Sequence, residues 1–264
     1  MKVARALTIA GSDSGGGAGI QADLKTFTVH GVFGATAITA LTAQNTRGVS
    51  GVLAVPPEFV RLQIDAVLDD IGADAVKTGM LANHQIAASV AEAIAQHRLD
   101  RVVVDPVMIA QSGARLLDTS AVTAIVERML PLATIVTPNL PEAEALLGRP
   151  IGTVAEMHEA AAEICRLGAR ACLLKGGHRK GERAVDVLCH QGTTRELSSP
   201  WIASRHTHGT GCQLAAAITA NLARGLELDA AVDRAKQFIT VAIRHGLAIG
   251  AGDGPANPMA WQDA

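Results

Sequence analysis

The sequence has no tyrosine, and aromatic residues make up 2% of its 264 positions. Single-stranded nucleic acid is usually gripped by stacking bases on such side chains, so that class of partner is disfavoured. Charge of either sign is also scarce in excess. The 23 Lys+Arg and 25 Asp+Glu leave a formal net charge of −2, which gives no pull toward nucleic acid or an anionic membrane. The four cysteines form no Cys-x-x-Cys pair and no Cys/His cluster of zinc spacing. Cys165, Cys172 and Cys189 read as small apolar side chains in a reducing compartment. No uncharged run approaches the roughly 20 apolar residues that cross a bilayer. Lys2 and Arg5 precede a short apolar run that glycines and Asp13 end at once. A first strand is therefore expected there rather than a secretion signal, in a cytoplasmic protein. Familiar catalytic signatures are missing too. The chain has no Gly-Lys dipeptide for a Walker loop and no Gly-x-Ser-x-Gly elbow, and His158-Glu159 lacks the second histidine of a zinc protease.

What is present is apolar: 48% of residues, enough for a large core. The length suits one α/β domain over residues 1–264. Short β-branched runs alternate with longer helical patterns, as in βαβ units around a mostly parallel sheet. Strands are expected at Ala6–Ala10, Ala35–Ala40, Ala75–Thr78, Arg101–Val104, Thr134–Val136, Ala171–Leu174 and Ala184–Cys189. Apolar spacing of three and four predicts helices at Pro57–Asp70, Asn83–Gln96, Ser120–Met129, Gln213–Arg224 and Leu228–Leu247. Thr153-Val154-Ala155-Glu156 is a capping box that opens another helix. Several strands end in polar or glycine-rich turns, and in an open parallel sheet the ligand crevice lies beyond those carboxyl ends.

Gly17-Ala18-Gly19-Ile20-Gln21-Ala22 matches the Gly-x-Gly-x-x-Ala form of a dinucleotide fingerprint, which would make the protein an NAD-dependent oxidoreductase. That fingerprint expects a carboxylate about 20 residues on, where this chain reads Thr42-Ala43-Gln44-Asn45. A plain flexible turn is a second reading. A turn whose bare backbone lets a small substrate approach is a third and is favoured. At His208-Gly209-Thr210-Gly211-Cys212, two glycines precede an Ala-rich helical run. Amides at a helix start can face an anion there, aided by the helix dipole, and could stabilise a phosphoryl group in transfer. The same helix start is expected to lower the pKa of the Cys212 thiol. Asp105 at a strand end and Glu142 at a helix start are the carboxylates best placed to hold Mg²⁺ through waters. Lys175, ending an apolar strand, is a point charge for phosphate.

In this order, the segments Ala10–Asp23, Thr42–Thr46, Lys77–Met80, Val104–Met108, Thr137–Glu142, Lys175–His178 and His208–Cys212 resemble the hydroxymethylpyrimidine/phosphomethylpyrimidine kinases of thiamine biosynthesis. These belong to the ribokinase-like superfamily, and the resemblance runs from Ala6 to about Pro255. It implies a three-layer α/β/α sandwich without a separate lid domain. It also implies ATP and Mg²⁺ as cofactors, a small aminopyrimidine alcohol and then its monophosphate as substrates, and a homodimer. Gln44 would meet the aminopyrimidine edge, Met80 and Val107 would pack on the ring, and Gly11 and Asp23 would line the pocket. Asn139 and Lys175 would contact the nucleotide, Asp105 and Glu142 the metal. Cys212 would act as catalytic base beside Gly209, Thr210 and Gly211. Pyridoxal and hydroxyethylthiazole kinases are the nearest alternatives on the same fold. Two positions depart from the family's habit: Thr42 where Val is common, and Asp253 where His is common.

Overall fold

The computed structural model describes residues 3–108, 119–177 and 182–261. Its strands are β1 (Arg5–Asp13), β2 (Phe33–Asn45), β3 (Gly48–Ala54), β4 (Ala75–Thr78), β5 (Val102–Val104), β6 (Ile135–Val136), β7 (Ala171–Leu174), β8 (Arg183–His190) and β9 (Thr193–Pro200). They form one sheet in the order β3-β2-β1-β4-β5-β6-β7-β8-β9. The central ladders from β2 to β7 are parallel, while β2–β3, β7–β8 and β8–β9 are antiparallel. Strands β4 to β7 are buried along their whole length, which explains their continuous apolar runs.

Helices cover both faces. On one face pack α2 (Pro57–Asp70), α3 (His84–Gln96), α4 (Thr119–Ala124), α5 (Leu140–Leu147) and α6 (Val154–Arg166), closing a core that includes Val60, Ile86, Val90, Met157 and Ile164. On the other lie α1 (Gly19–Val29), α7 (Thr210–Ala223) and α8 (Leu228–Arg244), with Phe27, Ile218 and Phe238 among their buried contacts. Helix α7 is buried from Gln213 to Ala223. Its small alanines let it lie close on the sheet, between α1 and α8. This is the expected three-layer sandwich.

The expected strands all appear, and β4, β7 and α2 match residue for residue. The predicted helix at Ser120–Met129 is α4 followed by a π-helical segment, Ile125–Met129. The capping box is made on both sides: Thr153 accepts from the Glu156 amide, and the Glu156 carboxylate accepts from the Thr153 amide. Two strands were not expected. β3 and β9 are edge strands with almost no buried residues, so neither carries an alternating apolar signal. The β8–β9 turn places Gln191 and Gly192 at φ 51° and 76°, the left-handed pair of a tight hairpin.

Candidate active site

The carboxyl ends of the parallel strands open into a cavity of about 690 Å³. Gly11, Gln44, Met80, Asp105, Val107, Asn139, Glu142 and Lys175 line it, together with Gly209, Thr210, Gly211 and Cys212. Each sits where its strand or helix ends, so the fold collects residues more than 200 positions apart.

The floor is the start of α7. Gly209 is its N-cap at φ 77°, a left-handed conformation, and no side chain caps the helix. The Thr210 amide reaches the Thr207 carbonyl at only 3.3 Å, whereas the amides of Gly211 and Cys212 have no acceptor among the described residues. Two uncommitted donors at a helix start make an anion cradle. A Cβ on Gly209 would lie 1.8 Å from the Gly17 carbonyl oxygen, so this turn and the glycine-rich turn touch backbone to backbone.

The glycine-rich turn itself is spoken for. The Asp13 carboxylate accepts from the amides of Gly15 (2.8 Å), Gly17 (3.0 Å) and Ala18 (2.8 Å), and His208 Nε2 lies 2.9 Å from it. Burial raises the Asp13 carboxyl, but His208 and these amides outweigh that and hold it below its ordinary value. Those amides are therefore not offered to a pyrophosphate, which removes the structural basis of a dinucleotide site. The bare backbone serves close packing of the two turns: a Cβ on Gly17 would meet His208 at 2.4 Å, and one on Gly19 the Gly11 carbonyl at 2.4 Å.

Lys175 donates to Asp105 Oδ1 at 3.0 Å, and Thr137 Oγ1 donates to the same oxygen at 3.1 Å. Burial lowers the Lys175 ammonium, but Asp105 and Glu142 more than restore it, and its pKa lies above the ordinary value. Asn139 caps α5 by accepting from the Glu142 amide, and Glu142 returns the bond to the Asn139 amide. Burial pushes the Glu142 carboxyl up to about 7, with Lys175 opposing and Asp105 adding to the rise. Among the described residues no group of three ligand side chains could cage a metal. Two carboxylates at one wall, Asp105 and Glu142, could instead hold a hydrated divalent cation through its waters.

Two expectations need correction. Asp23 does not line the cavity. It is fully buried, receives Lys77 Nζ at 2.8 and 3.0 Å and Thr8 Oγ1 at 2.6 Å, and Lys77 stands at the cavity wall instead. Burial disfavours the Lys77 ammonium, yet Asp23 outweighs it and the pKa is raised. The Cys212 thiol is not lowered by its helix start. Burial pushes it up to about 11; Lys77 and the Gly19 amide pull it down, while Asp23 and Asp105 push the other way. Desolvation of the thiolate outweighs the dipole, so Cys212 rests as a thiol. His178 lies outside the described residues.

Residues that sequence reasoning missed include Asp13, His208 and Lys77, which hold the two turns and the floor together. Their motifs were visible, but pairings across 54 and 195 positions carry no local signal.

A sequence profile of the family described as phosphomethylpyrimidine kinase matches residues 13–257. The chain belongs to that family. It is 46% identical over 263 residues to the hydroxymethylpyrimidine/phosphomethylpyrimidine kinase of Bacillus subtilis, covering 99% of this chain and 97% of that one. It is 53% identical to the thiamine biosynthesis bifunctional protein ThiED of Geobacter sulfurreducens, across 95% of this chain but only 51% of that longer protein. Among solved structures, the ADP complex of Bacillus subtilis pyridoxal kinase superposes with a TM-score of 0.92 at 42% identity, covering 98% of both chains. The fold is thus that of the ribokinase-like vitamin kinases.

Proposed function

We propose that this kinase transfers the γ-phosphoryl group of ATP to 4-amino-5-hydroxymethyl-2-methylpyrimidine, and then to the resulting monophosphate. The observation that carries the reading is the pair of uncommitted amides at Gly211 and Cys212, facing a cavity with Gln44 on one side and Lys175, Asp105 and Glu142 on the other. Phosphoryl transfer proceeds through a loose transition state, so positioning and charge stabilisation supply most of the acceleration. The cradle meets the transferring group's equatorial oxygens. Lys175 lends positive charge, and Asn139 lies beside it across a backbone bridge between strand ends. Mg²⁺, when bound, would neutralise nucleotide charge, held by Asp105 and Glu142 through waters.

On the acceptor side, Gln44 supplies a donor and an acceptor for the pyrimidine edge. Met80 and Val107 supply apolar contact for the ring. Gly11 makes room: a Cβ there would meet the Met80 methyl at 2.5 Å. Cys212 stands beside the alcohol and takes its proton. At a pKa of about 11, only about one Cys212 in 10⁴ is the thiolate at pH 7, and it is this form that takes the alcohol's proton as the phosphoryl bond forms.

A homodimer fits the exposed apolar residues of β2, β3 and α2, where Leu41, Leu53, Phe59 and Leu62 are 46 to 66% exposed. Continuity of one sheet favours a single kinase unit over residues 1–264. Cytoplasmic placement is consistent with four free cysteines, and no helix among the described residues is long and apolar enough to cross a membrane. Pyridoxal is the second substrate to test, because the superposed pyridoxal kinase shares the fold so closely. An ADP-release assay with Mg²⁺, run on the pyrimidine alcohol, its monophosphate, pyridoxal and the thiazole alcohol, decides. Turnover with the two pyrimidines is expected; turnover only with pyridoxal or the thiazole would reassign the enzyme.

A further inference from the structure

Strands β1 and β2 slip out of register at the rim of the cavity. Ala10 pairs with Ile38 and Ser12 with Leu41, so Thr39 and Ala40 together face the single residue Gly11. Such a bulge bends a strand and re-aims its side chains. Thr39 is fully buried, and its hydroxyl donates to the Met80 carbonyl at 2.6 Å. Among the described residues that carbonyl has no other donor. Met80 belongs to the turn that joins β4 to α3, and β1 lies between β4 and β2 in the sheet. The turn must therefore pass over the end of β1 to be held by β2. It passes where side chains are small or missing. A Cβ on Gly79 would lie 2.9 Å from the Ala10 Cβ, and one on Gly11 would lie 2.5 Å from the Met80 methyl. Further along the same turn Ala82 stands at φ 61°, a left-handed backbone that alanine adopts only when its surroundings hold it there.

We infer that Thr39 is a positioning residue for the acceptor pocket: through the Met80 carbonyl it fixes the methionine that forms one wall of that pocket. This role rests on the proposed contact between Met80 and the pyrimidine ring. Methionine is an adaptable side chain, and it makes a defined wall only where its backbone is held. Without the Thr39 hydroxyl the buried carbonyl loses its bond, and a turn already strained at Ala82 loses its tie to β2. Gln44 lies five positions along the same strand and also lines the cavity. Strand β2 thus sets two sides of the acceptor ring, the polar edge directly and the apolar wall through Thr39. The bulge at Thr39 and Ala40 is the device that turns the hydroxyl to this task.

The test is a double-variant cycle in the full-length enzyme, with KM measured separately for the pyrimidine alcohol and for ATP. Thr39→Val keeps the shape and leaves the buried carbonyl unpaired, so acceptor KM is expected to rise about tenfold. KM for ATP is expected to stay within about twofold, because Met80 serves the acceptor alone. Thr39→Ser, which restores the hydroxyl, should bring acceptor KM back to within about threefold of wild type. Met80→Ala removes the wall itself, and adding Thr39→Val to it should change acceptor KM by less than about twofold, since residues that act as one do not add. An unchanged acceptor KM in Thr39→Val, equal rises in both KM values, independent effects in the double variant, or no rescue by serine would each overturn the inference. A wild type that turns over pyridoxal or the thiazole alcohol but neither pyrimidine sinks the proposed substrate, and the same cycle on that acceptor then decides the role of Thr39. Should Thr39→Val not fold, NMR of the wild type decides. The Thr39 hydroxyl proton should exchange slowly enough to be observed, and the Met80 methyl should contact the bound acceptor. A hydroxyl proton lost to solvent, or a methyl that touches no part of the acceptor, overturns it.

Discussion

Replacing Gly209 with alanine probes the junction on which the cradle depends. The residue sits at φ 77°, and a Cβ there would lie 1.8 Å from the Gly17 carbonyl oxygen and 3.1 Å from the Ala18 Cα. A carbon and a carbonyl oxygen come no nearer than about 3.3 Å without strain, so the two turns must separate by about 1.5 Å. Left-handed backbone at a non-glycine residue adds about 1 to 3 kcal/mol. For a chain of 264 residues that lowers the melting midpoint by about 2 to 5 °C. A misplacement of about 1 Å in a catalytic group can cost about 100-fold in rate, so kcat in an ADP-release assay should fall about that far. Gly31→Ala is the control. Gly31 has φ 69° with nothing within 4 Å of its Cβ position, so it carries the conformational cost without the collision. It should lose a little stability and keep its rate. A Gly209→Ala enzyme that melts lower yet turns over within twofold of wild type would refute the claim that the contact between the two turns positions the phosphoryl cradle.

Three further perturbations follow from the same structure. Cys212→Ala should reduce kcat about 100-fold, and wild-type log kcat should climb with pH between 7 and 9 because the thiol titrates near 11; a flat profile in that range would remove Cys212 as the base. Lys77→Met leaves the Asp23 carboxylate buried without its counter-ion and should cost about 3 to 5 kcal/mol in urea unfolding, with Lys77→Met/Asp23→Leu regaining much of it; a wild-type midpoint for the single variant would mean that the pair is not needed for stability. His30 is buried against Phe238 and Trp261, and burial pulls its pKa down to about 4 from 6.5. The unfolded chain binds that proton first, so the contribution of about 3 kcal/mol is whole above pH 6.5 and is lost as pH falls toward 4. His30→Gln should flatten unfolding free energy over that window, and an unaltered slope would contradict the assignment.

The parts of the fold that sequence made legible are those where local pattern and burial coincide. Strands β4 and β7 are buried on both faces, and the box at Thr153 and Glu156 is a local exchange of bonds; both read directly from residue order. β3 and β9 did not, because an exposed edge strand is held by backbone pairing that any polar sequence can make. The site was legible through its strand ends, which topology forces to one side of the sheet. Its electrostatics were not. The environment of Cys212 depends on burial and on Lys77, 135 positions away, and the role of Asp23 changed once Lys77 was seen to claim it. The glycine-rich turn looked like a ligand cradle, but only the fold reveals that Asp13 has taken its amides.

The central claim is that the Gly211 and Cys212 amides hold the phosphoryl group in flight. The direct measurement is a crystal structure of the enzyme with ADP, Mg²⁺, aluminium fluoride and the pyrimidine alcohol. The account predicts fluoride atoms within about 3 Å of both amide nitrogens, with the alcohol oxygen between the metal fluoride and Cys212. A fluoride complex bound elsewhere in the cavity, with those two amides facing only water, would contradict it.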